Sequence, residues 1–141
     1  MNIIKSKSRS KYKKIWKDLR QFNLRNNKFL SCPKAYKRRP HNFYAYDGKK
    51  LIGGALCETR YNWLYIDVLK VSEDYRGQEI GTALIQKVEN FAREQYMEGV
   101  YLETFDFQAR PFYEKMGFTL CGKVEDLPPK SCMYILSKKL K

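Results

Sequence analysis

The pattern of residues 64–118 most constrains what this chain can fold into. A strand predicted over residues 63–71 is followed by the turn Tyr-Arg-Gly-Gln-Glu-Ile-Gly-Thr at residues 75–82. An amphipathic helix over 78–96, a short strand over 100–105 and a helix over 109–116, ended by Gly117, come next. The first backbone N–H groups of a helix have no partner within it. A glycine-containing turn at that point therefore predicts a phosphate site.

The rest of the chain predicts a third helix and several short strands. Aromatic and aliphatic residues recur at helical spacing over residues 11–22, which predicts a helix whose apolar stripe packs against a sheet. Residues 2–9 fit either an edge strand or a disordered arm, and 25–41 predict an irregular loop. Strands are predicted over 42–46 and 50–59, joined by an Asp47-Gly48 hairpin, and over 119–124 and 132–136. This order predicts one α/β (α+β) domain over residues 1–141, with a central mixed, mostly antiparallel sheet flanked by helices.

The positive charge is concentrated in the first third of the chain. Residues 1–50 hold 16 Lys/Arg and 2 acids, whereas residues 51–141 hold 12 Lys/Arg and 13 acids. This excess is either a solvated surface that favours solubility or a field that attracts cofactor phosphates, an acidic substrate or RNA. Charge alone leaves both interpretations open.

Cysteine and histidine content indicates neither a metal site nor a disulfide scaffold. Cys32, Cys57, Cys121 and Cys132 lack paired metal-binding spacing, and His41 is the single histidine. No apolar run approaches the ~20 residues of a membrane helix, and no secretory signal pattern is present. The sequence therefore predicts a cytoplasmic protein with reduced thiols, no membrane association and no metal.

Two segments of this pattern resemble the acyl-CoA site of the GNAT superfamily of N-acetyltransferases. They are the turn that contains Arg76 and Gly81, and Ala-Arg-Pro-Phe-Tyr-Glu-Lys-Met-Gly-Phe at residues 109–118. Leu-Glu-Thr at 102–104 and Phe-Tyr-Glu-Lys are similar to the streptothricin acetyltransferase type. The resemblance implies a GNAT-like fold and an acetyl-CoA-dependent N-acetyltransferase.

The resemblance also implies a set of cofactor-binding residues. Backbone N–H groups of the turn would hold the CoA pyrophosphate, with added charge from Arg76, and the strand before it would pair with the pantetheine. The implied residues are Leu69, Val71, Arg76, Gly77, Gln78, Glu79, Ile80, Gly81, Thr82, Asp106, Ala109 and Phe112. Two of them depart from the family pattern, because Glu79 replaces a glycine and Asp106 stands where asparagine is frequent.

Three residues are candidates for proton transfer. The resemblance implies that Asp67, or alternatively Glu103, deprotonates the acceptor amine, and that Tyr113 protonates the departing CoA thiolate. Strand alternation predicts that Trp63, Tyr65, Asp67, Leu69 and Val71 share one face. Alternatively, Asp67 is a strand-edge carboxylate paired to a lysine, Glu103 is a surface residue, and Tyr113 is a core aromatic with a hydrogen-bonded hydroxyl.

The predicted reaction is direct attack of a primary amine on acetyl-CoA in a ternary complex. An acyl-enzyme would need a Cys–His pair, which one histidine makes difficult. The acceptor amine could be carried by a small molecule or a protein, or be associated with RNA or a ribosome. A catalytically decayed, basic CoA-binding module is a further alternative. Relatives are often dimers, so a homodimer is also considered.

Overall fold

A computed structural model gives the backbone of residues 1–141 and describes every side chain except those of Pro33 and Lys34. The chain falls into two compact units, Met1–Lys37 and Arg38–Lys141, which are described separately. The prediction of one domain over residues 1–141 therefore stays a prediction. Within the described part of the chain, no helix is long and apolar enough to cross a membrane.

The first unit contains the helix α1, Arg9–Asn26, and a short 3₁₀ helix, Pro33–Tyr36. The Ser8 side chain accepts a hydrogen bond from the Lys11 backbone N–H, which is the usual way a serine begins a helix. α1 is longer than predicted at both ends, and residues 2–8 form no strand, which excludes the edge-strand alternative. No side chain of α1 is buried, and packing of its stripe against a sheet remains a prediction.

The second unit is a six-stranded sheet in the order β1-β2-β3-β4-β6-β5. Its strands are β1 (Pro40–Asp47), β2 (Lys50–Arg60), β3 (Trp63–Val71), β4 (Gly99–Phe105), β5 (Thr119–Glu125) and β6 (Cys132–Lys139). Its helices are α2 (Ile80–Glu94), α3 (Arg110–Lys115) and the 3₁₀ turn Glu73–Tyr75. Only β3 and β4 pair in parallel, across the connection through α2. The predicted class, a mixed and mostly antiparallel α+β sheet with helices, is confirmed.

The core of this unit lies between α2 and one face of the sheet. Residues Leu84, Ile85, Val88, Glu89 and Ala92 of α2 are buried. Ile85, Val88 and Ala92 pack in one cluster with core residues of the sheet, which include Leu64 of β3, Leu102 of β4 and Leu136 of β6. The Asp47-Gly48 hairpin forms as predicted, since Asp47 pairs with Lys50 and Gly48 adopts a φ of +55°.

β3 and β4 separate after only three paired positions. The pairing begins at Leu64 with Val100 and ends at Ile66 with Leu102, although β3 continues to Val71. Beyond Ile66, one edge of β3 therefore has no strand partner. This opening is the feature of the fold that positions the site.

A β-bulge lies at the same point. Leu56 of β2 pairs with Val68, and the next residue, Cys57, pairs with Ile66, so Asp67 is left without a partner in β2. An extra residue of this kind bends the strand and changes which side chains share a face.

The bulge makes the predicted alternation wrong. Residues three apart in a regular strand lie on opposite faces, but Ile66 and Leu69 both pack against the core. The regular alternation of side chains is therefore interrupted between them, at the bulge. Tyr65 lies on the opposite face, with its ring centroid 5.0 Å from that of Tyr101. The five residues predicted to share one face therefore do not share it: Trp63, Tyr65, Asp67, Leu69 and Val71. One additional residue in β3 reverses the alternation after Ile66.

Candidate active site

The gap between the ends of β3 and β4 widens into a cleft of about 840 Å³. Its walls are the unpaired end of β3, the end of β4, the turn before α2 and the beginning of α3. The lining residues are Ile66, Asp67, Val68, Leu69, Lys70, Val71, Tyr75, Arg76, Gly77, Glu79, Ile80, Gly81, Thr82, Leu102, Glu103, Thr104, Phe107, Gln108, Ala109, Phe112 and Tyr113. This volume is within the range of small-molecule sites in proteins.

The turn before α2 has two residues in the left-handed region. Gly77 has a φ of +77°, which glycine adopts without steric cost, and apart from its chain neighbours no atom lies within 4 Å of where its Cβ would be. Glu79 has a φ of +58° and stands at the N-cap of α2, but its side chain makes no capping hydrogen bond. This position requires the left-handed backbone conformation, which the glycine of the family pattern adopts without strain and Glu79 adopts only with strain.

Arg76 projects from this turn and is largely solvent-exposed. Its guanidinium lies 3.5 Å from the Glu73 carboxylate, which is a long ion pair between exposed groups. Because exposed pairs of this kind contribute little free energy, Arg76 can exchange Glu73 for another anion at small cost.

Two of the residues implied for cofactor binding do not line the cleft. The Gln78 side chain donates to the Asp74 carbonyl oxygen at 3.4 Å. Asp106 accepts a hydrogen bond from the Ser131 hydroxyl, which is the first cause of its lowered pKa. The other ten implied residues are brought together around the cleft, from Leu69 to Phe112.

The two candidate bases lie on neighbouring strands where the pairing stops. Asp67 and Glu103 are both exposed and line the cleft. The pKa of Tyr65 is raised mainly by burial, and then by the charges of Glu103 and Asp67, so both carboxylates lie near one phenol. Burial, followed by the charge of Asp67, also raises the pKa of Cys57 to about 12. In residues 1–32 and 35–141, neither carboxylate has a salt-bridge partner, so the alternative of a lysine-paired Asp67 finds no support.

Tyr113 comes from α3 and is 8% exposed. Its ring packs edge-on against Phe112 at 5.3 Å and Phe118 at 6.0 Å between centroids. Burial alone raises the pKa of its phenol to about 12. Among the described residues its hydroxyl has no hydrogen-bond partner, so the alternative of a core tyrosine satisfied by the protein finds no support.

Several cleft residues were not anticipated from the sequence. Gln108 fixes the loop after β4, since its side-chain oxygen accepts from the Phe105 N–H at 2.8 Å and the Thr104 hydroxyl at 3.1 Å. The Tyr75 hydroxyl donates to the Asp47 carboxylate at 2.8 Å, which raises the pKa of that phenol. Tyr75 stands in the quoted turn, but its partner lies 28 residues earlier, a separation that local pattern cannot anticipate. Within the described residues, no group of three His, Cys, Asp or Glu side chains could hold a metal.

Comparison with known proteins identifies the family. A model of the acetyltransferase (GNAT) family matches residues 3–118. Blasticidin-S acetyltransferase of Streptomyces morookaense is 37% identical over 92 residues, which are 64% of this chain and 68% of that protein. Acetyltransferase Atu2258 of Agrobacterium fabrum is 33% identical over 66% of this chain and 68% of that protein.

Solved structures agree with this family. An acetyltransferase from Bacillus cereus superimposes over 99% of both chains with a TM-score of 0.81 at 26% identity. A Bacillus anthracis protein assigned as a streptothricin acetyltransferase was solved in complex with acetyl coenzyme A. The superposition covers 74% of this chain and 64% of the Bacillus anthracis chain, with a TM-score of 0.67 at 25% identity. The chain therefore belongs to the GNAT family of acetyltransferases, enzymes that transfer an acyl group from acetyl-CoA.

Proposed function

We propose that this protein acetylates a primary amine of a small molecule by direct attack on acetyl-CoA in a ternary complex. The observation that carries the proposal is the separation of β3 and β4 after Ile66. One cleft at this point contains the glycine turn, a buried tyrosine and two carboxylates that have no ion-pair partner within the described part of the chain. A turn that can bind phosphate, carboxylates that can act as bases and a phenol that can act as an acid thus lie around one cavity.

The residues of the cleft fit acetyl-CoA. The open space beside Gly77 lets a pyrophosphate approach the backbone N–H groups at the start of α2. Arg76 can exchange its long, exposed ion pair with Glu73 for a charged hydrogen bond to the pyrophosphate. The unpaired edge of β3 at Leu69 and Val71 offers backbone groups to an extended amide chain. When bound there, acetyl-CoA supplies an activated thioester.

The acceptor amine must lose a proton before it can attack. Asp67 and Glu103 both lie in the cleft without an ion-pair partner among the described residues, so either can take that proton directly or through water. Backbone N–H groups of β3 beyond Ile66 lack a strand partner on the β4 side and are proposed to stabilise the oxyanion.

Tyr113 is proposed as the general acid that protonates the departing thiolate. Its raised pKa keeps the phenol protonated throughout the neutral and mildly alkaline range. Because this hydroxyl has no hydrogen-bond partner among the side chains that the structure describes, its proton is available to a group in the cleft. A catalytically decayed binding module would have no need of a protonated phenol at the cleft, so that alternative is less well supported than catalysis.

The acceptor class is proposed from the relatives. Blasticidin-S acetyltransferase and Streptothricin acetyltransferase A of Bacillus subtilis, 38% identical over half of this chain, are both named for small molecules. The alternative of an RNA- or ribosome-associated amine rests on the basic residues 1–50. One domain over residues 1–141, a cytoplasmic location and a homodimer remain proposals of the same kind.

The test is CoA thiol release from acetyl-CoA with an acceptor panel. Blasticidin S, streptothricin, an alanine-starting peptide and an RNA that carries a primary amine would be compared at 50 mM and 300 mM salt. We expect release with a small-molecule amine and weak dependence on salt, whereas an RNA-borne acceptor loses affinity steeply. Absence of thiol release above the uncatalysed rate with all acceptors, despite acetyl-CoA binding, would favour the decayed module.

A further inference from the structure

A partly buried ion pair outside the cleft joins three elements of the second unit. Glu89 of α2 is only 8% exposed, and its carboxylate accepts a hydrogen bond from the Lys138 ammonium of β6 at 2.7 Å. The same ammonium donates to the Met116 carbonyl oxygen at 2.7 Å. Met116 is the C-cap of α3, so one lysine connects α2, β6 and the end of the helix that carries Tyr113.

The Lys138 interactions are well suited to fix that helix end. The last carbonyl groups of a helix lack partners within it, and a positive charge near them is favourable. The chain leaves α3 through Gly117, whose φ is +88°. A Cβ there would lie 3.3–3.4 Å from Cε and Nζ of Lys138, so the lysine lies directly over the turn.

Two contacts lead from this turn to Tyr113. The Phe118 N–H donates to the Tyr113 carbonyl oxygen at 3.0 Å, and the two rings pack at 6.0 Å. The Lys138 ammonium lies 6.0 Å from the Phe118 ring, which is 2% exposed. α3 has only six residues and cannot be stable alone, so its orientation depends on contacts such as these.

We propose that Lys138, held in place by Glu89, is a positioning residue for Tyr113 in acyl transfer. The inference rests on the proposed function, in which the Tyr113 phenol protonates the departing thiolate. Lys138 is not among the residues that line the cleft, so it acts through α3 and not by touching cofactor or acceptor. Proton transfer needs the donor within hydrogen-bond reach, and a small displacement of the phenol is therefore costly.

The first test is a double-mutant cycle with Lys138→Met and Tyr113→Phe. The turnover number kcat is measured by thiol release with blasticidin S, and acetyl-CoA affinity by calorimetry. Lys138→Met is expected to lower kcat about tenfold with affinity within about twofold, and to change kcat by less than about twofold once Tyr113→Phe is present. Equal losses in the two backgrounds, or no loss in either, would overturn the proposal.

The second test does not require turnover. Tyrosine labelled with ¹³C at Cζ gives one signal that disappears in Tyr113→Phe and so reports on this phenol. Lys138→Met is expected to shift or broaden that signal, whereas Lys123→Met, which breaks an exposed pair with Glu125, leaves it unchanged. A Tyr113 signal identical in wild type and Lys138→Met contradicts the proposal, even if blasticidin S is not an acceptor.

The outcomes separate this inference from the function on which it rests. If Tyr113→Phe alone leaves kcat unchanged, the general-acid role fails and the positioning role with it. If Tyr113→Phe lowers kcat but Lys138→Met does not, only the positioning role is wrong. Should Lys138→Met fail to fold, Glu89→Gln takes its place in both tests, because its amide still accepts a hydrogen bond. Glu89→Gln is then expected to lower kcat about threefold in the wild-type background and not at all when combined with Tyr113→Phe. Equal losses of kcat in the two backgrounds overturn the proposal.

Discussion

Gly81, in the first turn of α2, faces Phe112 of α3 so closely that a Cβ on the glycine would lie 3.3 Å from the ring. Phe112 directly precedes Tyr113, so this contact places the turn proposed for phosphate binding beside the helix that carries the proposed acid. Because residue 81 has no side chain, the first turn of α2 and the helix α3 can approach each other closely although they are separated in sequence.

Gly81→Ala is therefore expected to disturb binding more than stability. Alanine favours a helix over glycine by about 1 kcal/mol, which offsets the tight contact with Phe112. We expect acetyl-CoA affinity to fall about fivefold, because the start of α2 is pushed from its position. Calorimetry beside a thermal melt measures both quantities, and unchanged affinity would show that the contact does not set the site.

Glu79 is expected to oppose cofactor binding through its charge and to strain the backbone. Glu79→Gln removes the charge only and is expected to tighten acetyl-CoA binding about threefold, since a carboxylate near phosphates is repulsive. Glu79→Gly also relieves the left-handed conformation and is expected to add about 1 kcal/mol to the free energy of unfolding. Weaker binding by Glu79→Gln would show instead that the carboxylate assists the cofactor.

Arg76 is expected to contribute a charged hydrogen bond to the pyrophosphate. Arg76→Glu should weaken acetyl-CoA binding by about tenfold or more, measured by calorimetry. Lys87→Glu reverses a charge at an exposed α2 position outside the cleft and serves as the control. Equal affinities for wild type and Arg76→Glu would place the phosphate site elsewhere.

Replacement of the carboxylates should identify the general base. We expect either Asp67→Asn or Glu103→Gln to lower kcat/KM about a hundredfold at pH 7. The loss should shrink as pH rises towards the pKa of the acceptor amine, because the amine then loses its proton without help. Glu125→Gln, at an acid outside the cleft, is the control. Full activity in both cleft variants would exclude both carboxylates as bases.

Local patterns predicted the elements well because those elements depend on neighbouring residues. The bounds of β3 were predicted correctly, and the Asp47-Gly48 hairpin formed, since turn chemistry and alternation are local properties. α2 begins at Ile80 rather than Gln78, because the left-handed Glu79 delays the helix.

What the sequence could not provide are features set by distant contacts. The bulge at Asp67 depends on how β2 pairs with β3. Alternation along β3 alone therefore predicted Tyr65 and Leu69 on the same face, whereas they lie on opposite faces. The bond from Tyr75 to Asp47 joins positions 28 residues apart. The Lys138–Glu89 pair spans 49 residues and follows from the packing of α2 on the sheet.

Tyr113 is proposed as the acid of the reaction, and the pH dependence of kcat for wild type and Tyr113→Phe tests this role most directly. The phenol keeps its proton until its raised pKa of about 12, so its ionisation should cause no fall in wild-type kcat up to pH 10. Tyr113→Phe should lower kcat about a hundredfold across this range, while acetyl-CoA affinity stays within about twofold. Equal kcat values for the two proteins at every pH would contradict the account.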